Sequence, residues 1–177
     1  MRVPFEYGDG TVPVDLPDDT FVVAPDRPEI AAHEPPALAD PVGATRAALD
    51  APLGSEPLAG LVRRGSTVTI AFPDRVKGGA HETAHRRTVL PMLLDDLAAA
   101  GVRMEDVRLV CAIGLHRKNR PDEIAAYLGA EAVARVPAHN VVNHDAEDPD
   151  GIADLGESAL GDPVQVNKAV VESDLTV

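Results

Sequence analysis

One cysteine, no tryptophan and only 3% aromatic residues are what this chain has little of. The single thiol, Cys111, excludes an intrachain disulfide framework. It lies in an apolar run, where a cysteine more often packs as a small hydrophobe than acts as a nucleophile. The shortage of rings disfavours a nucleic-acid reader that stacks bases on aromatic platforms. No apolar run approaches about 20 residues, so no membrane-spanning helix is expected. The N-terminus, MRVPFEYGDG, lacks the apolar stretch of a secretory signal, and the expectation is a cytoplasmic protein. Positive charge is scarce as well: 16 Lys and Arg stand against 29 Asp and Glu, a formal net charge of −13. Such a surface repels phosphate backbones and anionic membranes. An anionic ligand would need local cations, and the places to look are Arg75, Lys77, Arg86 and Arg87, then Arg117, Lys118 and Arg120.

What is present is a chain long enough for a real core, 177 residues with 45% hydrophobic content. Residues 1–25 carry short extended pieces, Thr11–Leu16 and Phe21–Ala24, with turn signals at Asp9-Gly10 and Pro17-Asp18-Asp19. Residues 25–42 are rich in Pro and charge and read as an irregular surface arm. Val42–Leu49 and Leu58–Val62 have the spacing of short helices. From Thr67 the texture changes. Thr67–Phe72 and Val107–Ile113 are strands of the kind covered on both faces. Thr83–Ala100 reads as a helix with Val89, Leu90, Leu93, Leu94 and Leu97 on one stripe, Pro91 inside it and Gly101 as its stop. Pro121–Leu128 opens favourably on proline and ends at Gly129. Val141–Val142, then a strand at Val164–Val166, a helix at Asn167–Glu172 and a strand at Leu175–Val177 complete the pattern.

Buried-type strands alternating with helices predict an α/β fold. The expectation is a mostly parallel, Rossmann-like sheet with flanking helices and a short β-rich N-terminal segment. Ligands then sit beyond the carboxyl ends of the strands. Three polar loops fall there: Asp74/Arg75/Lys77, His116/Arg117 and His144/Asp145. In Gly114-Leu115-His116-Arg117 an imidazole directly follows a strand, and it is the candidate acid/base near neutral pH. In D-x-x-K, the carboxylate of Asp74 suits ligand hydroxyls and the ammonium of Lys77 suits a phosphate or carboxylate. Arg117 and His144 are further substrate-orienting candidates. His81-Glu82-Thr83-Ala84-His85 spells H-E-x-x-H, which would put two metal-binding imidazoles on one helix face with Glu82 as base. Against that zinc hydrolase, the string sits at a helix start and runs into Arg86-Arg87. Glu105 is the one further ligand to consider. His33 falls in the Pro-rich arm and is assigned no role.

Taken together, several strings resemble the nickel-pincer-nucleotide-dependent lactate racemases and their 2-hydroxyacid racemase relatives. They are SEPL at Ser55–Leu58, the strand-then-Asp of Thr67–Asp74, Pro91–Leu94 before Gly101, AIGLHR at Ala112–Arg117, Pro121–Leu128 with Gly129, NHDA at Asn143–Ala146, GDPVQVN at Gly161–Asn167 and ESDL at Glu172–Leu175. The resemblance implies two α/β domains with the active site between them, of which residues 1–177 would be the N-terminal cofactor-cradle domain. It implies a nickel-bearing pyridinium mononucleotide, a small 2-hydroxy acid substrate and an isomerase reaction by hydride transfer with histidine acid/bases. His116 matches the first of those histidines, and Asp74, Arg75, Val76 and Lys77 match the cofactor-binding segment. Lysine stands at 77 where the family has arginine, and Gly78–Arg87 looks like an insertion. The second histidine, the cofactor-anchoring lysine and the nickel ligand of the family would fall after Val177, so no metal ligand is expected within this chain and it is expected to be inactive alone. The ending Asp174-Leu175-Thr176-Val177 looks like the middle of a strand, the mark of a fragment. Two other readings stand beside this one: the zinc hydrolase on His81 and His85, and a non-catalytic nucleotide-binding module. A C-terminal domain and a homo-oligomer are the candidate protein partners.

Overall fold

The computed structural model describes residues 1–22, 36–78 and 83–177. It divides into two compact units, Met1–Ala39 and Asp40–Val177. Residues 25–35 of the Pro-rich arm, with His33, lie outside the described residues, as do His81 and Glu82.

The first unit contains an antiparallel hairpin, β1 (Arg2–Tyr7) and β2 (Gly10–Asp15), closed at Tyr7↔Gly10. Gly8 in its turn has φ +59°, a conformation in which a side chain is disfavoured. The N-terminal ammonium bonds the Leu16 carbonyl at 2.7 Å and the Asp18 carboxylate at 2.5 Å. Phe21 and Val22, read above as the start of an extended piece, belong to no element.

The second unit begins with α1 (Pro41–Asp50) and α2 (Leu58–Leu61). Pro41 and Val42 open α1 instead of ending the irregular arm. Asp40 caps the helix by accepting from the Gly43 amide at 2.9 Å, and proline suits the first helical position. Next come β3 (Val68–Pro73), the single turn α3 (Arg75–Gly78) and α4 (His85–Ala99). These lead through a 3₁₀ turn into β4 (Val107–Ala112), then α5 (Pro121–Leu128), α6 (Ala130–Val133) and β5 (Val141–Asn143). The chain ends with β6 (Ile152–Glu157), β7 (Pro163–Asn167), α7 (Lys168–Glu172) and β8 (Leu175–Thr176).

Strands β5-β4-β3-β8, in that spatial order, form the expected parallel sheet. The register Val68↔Val107, Ile70↔Leu109, Phe72↔Cys111 puts six apolar side chains on one face. The stripe Leu90, Leu93, Leu94, Leu97 of α4 and Ile124, Tyr127, Leu128 of α5 join them in the core. Helix α4 ends in a Schellman motif: Val102 N–H reaches the Leu97 carbonyl, Gly101 N–H reaches that of Ala98, and Gly101 has φ +86°. Pro91 lies inside α4, removing one amide donor, and its carbonyl accepts from Arg135 at 3.4 Å.

One expected element has a different partner. The strand around Val164–Val166 is β7, which pairs antiparallel with β6 and lies outside the parallel sheet. Strand β6, IADLGE, carries a register shift between Asp154 and Glu157 and no β-branched run, so nothing local announces it. The hairpin and α7 precede β8, which returns to pair with β3. Thr69 anchors α7 to the sheet by donating to the Ala169 carbonyl at 2.8 Å. The Asp174 carboxylate clips β8 in place by accepting from Thr67 N and Oγ1 at 2.8 and 3.0 Å.

Candidate functional site

At the carboxyl end of β3 the backbone turns into α3, and Asp74 stands at that corner with 2% exposure. Its Oδ1 accepts from the Val76 amide at 3.1 Å, and the Lys77 amide adds to the cap. Its Oδ2 lies 2.6 Å from His116 Nδ1. Burial pushes the Asp74 carboxyl up, but the hydrogen bond and charge of His116 and the amides of Lys77 and Val76 outweigh it, and the net shift is downward. Asp74 is therefore an ionised acceptor at neutral pH. His116 Nδ1–H therefore donates to Asp74 Oδ2, which leaves Nε2 as the lone-pair nitrogen of the neutral ring.

His116 arrives from the end of β4 through a tight turn. Its amide donates to the Ile113 carbonyl at 3.0 Å, and Gly114, at φ +58°, occupies the first central position. The His116 side chain is 39% exposed, against 3% for its Asp74 partner. A buried carboxylate orienting a solvent-reaching imidazole is an arrangement suited to proton transfer. The loop is tied below to the end of β5. Asn119 N–H donates to Asn143 Oδ1 and Asn143 Nδ2 donates to the Asn119 carbonyl, each at 2.9 Å. The sequence assigns neither asparagine a role, because an Asn two residues before Pro121 and another at the last position of β5 carry no local mark of their pairing.

Strands β3 and β4 thus bring Asp74 and His116 together. No hydrogen bond or ion pair among the described residues links His144 to either. The His144 amide extends the ladder to the Cys111 carbonyl at 2.9 Å, and its Nδ1 faces Asn167 Nδ2 at 3.0 Å. Asn167 Oδ1 is occupied in capping α7 through Ala169 N–H, which fixes the amide orientation and makes His144 Nδ1 the acceptor. The ring lines a groove with Ala71, Val110, Ala112 and the β6–β7 hairpin. Of the three loop side chains, Asp74 and His116 are in direct contact, and His144 makes its hydrogen bond to Asn167 instead.

The cations divide in the same way. Arg117 makes a bidentate pair with Glu123 at 2.9 and 2.6 Å. Lys118 pairs with Asp145 at 2.5 Å and Arg120 with Asp122 at 3.1 Å. Arg87 donates to the Ala126 carbonyl at 2.8 Å, and Arg86 turns into the interior. Arg75 and Lys77 remain exposed on α3, directly after Asp74, with no side-chain partner among the described residues. His85 opens α4 in an exposed position. Among the described residues, no three His, Cys, Asp or Glu side chains are placed to share a metal ion. No helix of the described residues is long and apolar enough to cross a membrane.

The bidentate pair has a measurable consequence. Arg117, then the Arg120 amide, hold the Glu123 carboxyl at about 2, below its ordinary 4.5. A carboxyl depressed in the folded state adds stability that is complete above the unfolded value. That stability disappears as pH falls from 4.5 through about 2. Glu123→Gln is expected to flatten the dependence of Tm on pH in that window and leave it unchanged near neutrality. An unaltered acid limb by calorimetry would contradict the assignment.

Comparison with known proteins places these features in a family. Residues 7–177 match the model of the lactate racemase N-terminal domain. A lactate racemase from Thermoanaerobacterium thermosaccharolyticum is 27% identical over 130 residues, 73% of this chain and 28% of the relative. The structure of the lactate racemase apoprotein from the same organism superposes with a TM-score of 0.67 at 22% identity. That match covers 99% of this chain and 38% of the other. At that identity the likeness is one of fold. The chain spans well under half the length of either relative.

Proposed function

This chain belongs to the lactate racemase N-terminal domain family, and from that premise we propose that it is the N-terminal domain of a longer, two-domain isomerase that racemises or epimerises a small 2-hydroxy acid. The observation that carries the proposal is the 2.6 Å contact between His116 Nδ1 and Asp74 Oδ2. It leaves His116 Nε2 to take the hydroxyl proton of the substrate and to return it. Asp74 holds the ring and stabilises the imidazolium that forms, a division of labour general to carboxylate–histidine pairs.

A reaction at Cα needs more than a proton relay, because the Cα hydrogen must leave and return on the other face. When bound, a nickel-pincer nucleotide supplies the acceptor and return source for that hydride. The residues of this chain fit the anionic end of such a nucleotide. Arg75 and Lys77 project unpaired among the described residues from the turn that Asp74 caps, in a chain whose net charge is −13. Arg75, Val76 and Lys77 form the cradle, with Lys77 acting as a point charge in place of a planar guanidinium fork. Asp74 serves that cradle through the turn it caps and the reaction through His116. His144, on a tautomer fixed by Asn167, and Arg117, locked to Glu123, are substrate-orienting candidates in support of this reading. Nickel ligation and the second acid/base belong to the remainder of the enzyme, and the domain alone does not turn over.

The full-length protein loaded with the nucleotide should interconvert D and L forms of a 2-hydroxy acid and wash solvent-stable Cα deuterium from one face to the other. Chiral chromatography across a panel beginning with lactate checks this. Retention of configuration in every member of the panel would refute the assignment.

A further inference from the structure

Arg86 reads in the sequence as a cation offered to an anionic ligand, beside Arg87 at the start of α4. The structure places it inside. It is 9% exposed, its guanidinium carbon sits 4.4 Å above the centre of the Tyr127 ring, and Tyr127 is itself 1% exposed. Nη1 donates to the carbonyl of Pro73 at 2.6 Å and to that of Asp74 at 3.0 Å. Those are the carbonyls of the peptide units on either side of the Asp74 Cα, so one guanidinium nitrogen pins both planes that set the backbone angles of Asp74. The direction of the Asp74 side chain follows from those angles, since χ1 wells are defined relative to the backbone.

A buried guanidinium is a costly way to fill space. Burial pushes its pKa down, and an apolar side chain of similar length would pack over Tyr127 with less desolvation. What the guanidinium adds is the hold on two consecutive carbonyls at a corner where the chain leaves β3. The groups packed around this corner are Asp74 itself, Cys111 of β4, Tyr127 of α5 and His116 of the following loop. Among them only Asp74 and His116 make the contact on which the acid/base chemistry depends.

We infer that Arg86 is a positioning residue for the Asp74–His116 pair: by fixing the peptide planes around Asp74 it aims the carboxylate so that His116 keeps its proton on Nδ1 and its lone pair on Nε2. This rests on the reading of His116 as the acid/base. Arg86 is buried at 9% exposure and its effect passes through the geometry of Asp74. A displacement of Asp74 by a fraction of an ångström lengthens the 2.6 Å contact and releases the tautomer.

The test is the tautomer ratio of His116, read at alkaline pH from long-range ¹H–¹⁵N correlations of the chain labelled on histidine. The native chain should show the Nδ1–H form in excess. Asp74→Ala should move His116 to the Nε2–H form that free imidazole side chains prefer. Arg86→Met and Arg86→Lys should each shift the ratio several-fold in the same direction. The lysine variant keeps charge and stem, and it carries the test where the methionine variant fails to fold. Leu97→Ala, at a fully buried core position away from the pair, should lower Tm and leave the ratio unchanged. In the full-length enzyme Arg86→Lys should lower kcat roughly ten- to hundredfold, with KM little altered. A native ratio in folded Arg86→Lys, alongside a shifted ratio in Asp74→Ala, overturns the inference and spares the pair. A native ratio in Asp74→Ala overturns the pair itself.

Discussion

Replacing His116 by glutamine in the full-length enzyme should lower kcat by about 10²–10⁴-fold, the span typical of a positioned general acid–base. Glutamine keeps the side chain polar and of similar reach, and its amide still donates to Asp74, so the turn at residues 113–116 and the cap on α3 survive. What disappears is the nitrogen lone pair at the Nε2 position. Substrate binding should lose little, because in the proposed mechanism the imidazole acts on the hydroxyl proton as it leaves. The loss therefore falls on kcat, with KM within a few-fold of the parent. Nucleotide binding should persist, since Arg75 and Lys77 lie on α3 and not on the His116 loop. Asp74→Asn is the companion variant. It preserves the shape of the corner and removes the charge that keeps the proton on Nδ1, so it too acts on kcat, by up to the same order where the wrong tautomer dominates. Turnover of His116→Gln within threefold of the parent would remove His116 from the chemistry, whatever its contacts.

The sequence made the sheet legible because its strands and helices are locally self-announcing. Val68, Ile70 and Phe72 alternate with residues of the opposite face, and Leu90, Leu93, Leu94 and Leu97 repeat at helical spacing. Gly101 and Gly129 stop α4 and α5 where expected, each at positive φ. The parallel order then follows from crossover rules, and with it the prediction that the loops after β3 and β4 share an edge. Contacts between distant residues carry no such local mark. The 2.6 Å approach of Asp74 and His116 spans 42 positions, and the partition of His144 to Asn167 spans 23. The sequence ranks His116 as the acid/base and His144 as a substrate-orienting residue, but the partner each imidazole takes is visible only in the fold. Arg86 was misread for the same reason. A cation at a helix start looks solvated until the ring of Tyr127, on another helix, is found beneath it. Strand β6 was missed because its pairing with β7 is set by a hairpin whose connection contains Ser158, Leu160 and Gly161 rather than a short turn signature.

The rim geometry depends in turn on the seam between α4 and the sheet, and Leu94→Ala measures that dependence. Leu94 is fully buried, inside the cluster formed by Leu90, Leu97, Ile70, Leu109 and Ile124. Truncation removes its contacts and opens a cavity that rigid strands on one side and α5 on the other close only in part. The expected cost is about 3–5 kcal/mol, against a total of about 5–15 kcal/mol for a domain of ordinary stability. In a chain of this size that lowers Tm by roughly 6–20 °C. Leu115 supplies the contrast: it is fully exposed next to His116, and Leu115→Ala should stay within about 0.5 kcal/mol. Chemical denaturation followed by circular dichroism distinguishes the two, and a loss below about 1 kcal/mol for Leu94→Ala would mean that α4 does not pack as described. Two leucines that look alike in the sequence should then differ several-fold in effect, because one holds the sheet that delivers Asp74 and His116 to each other and the other only decorates the loop that carries the imidazole.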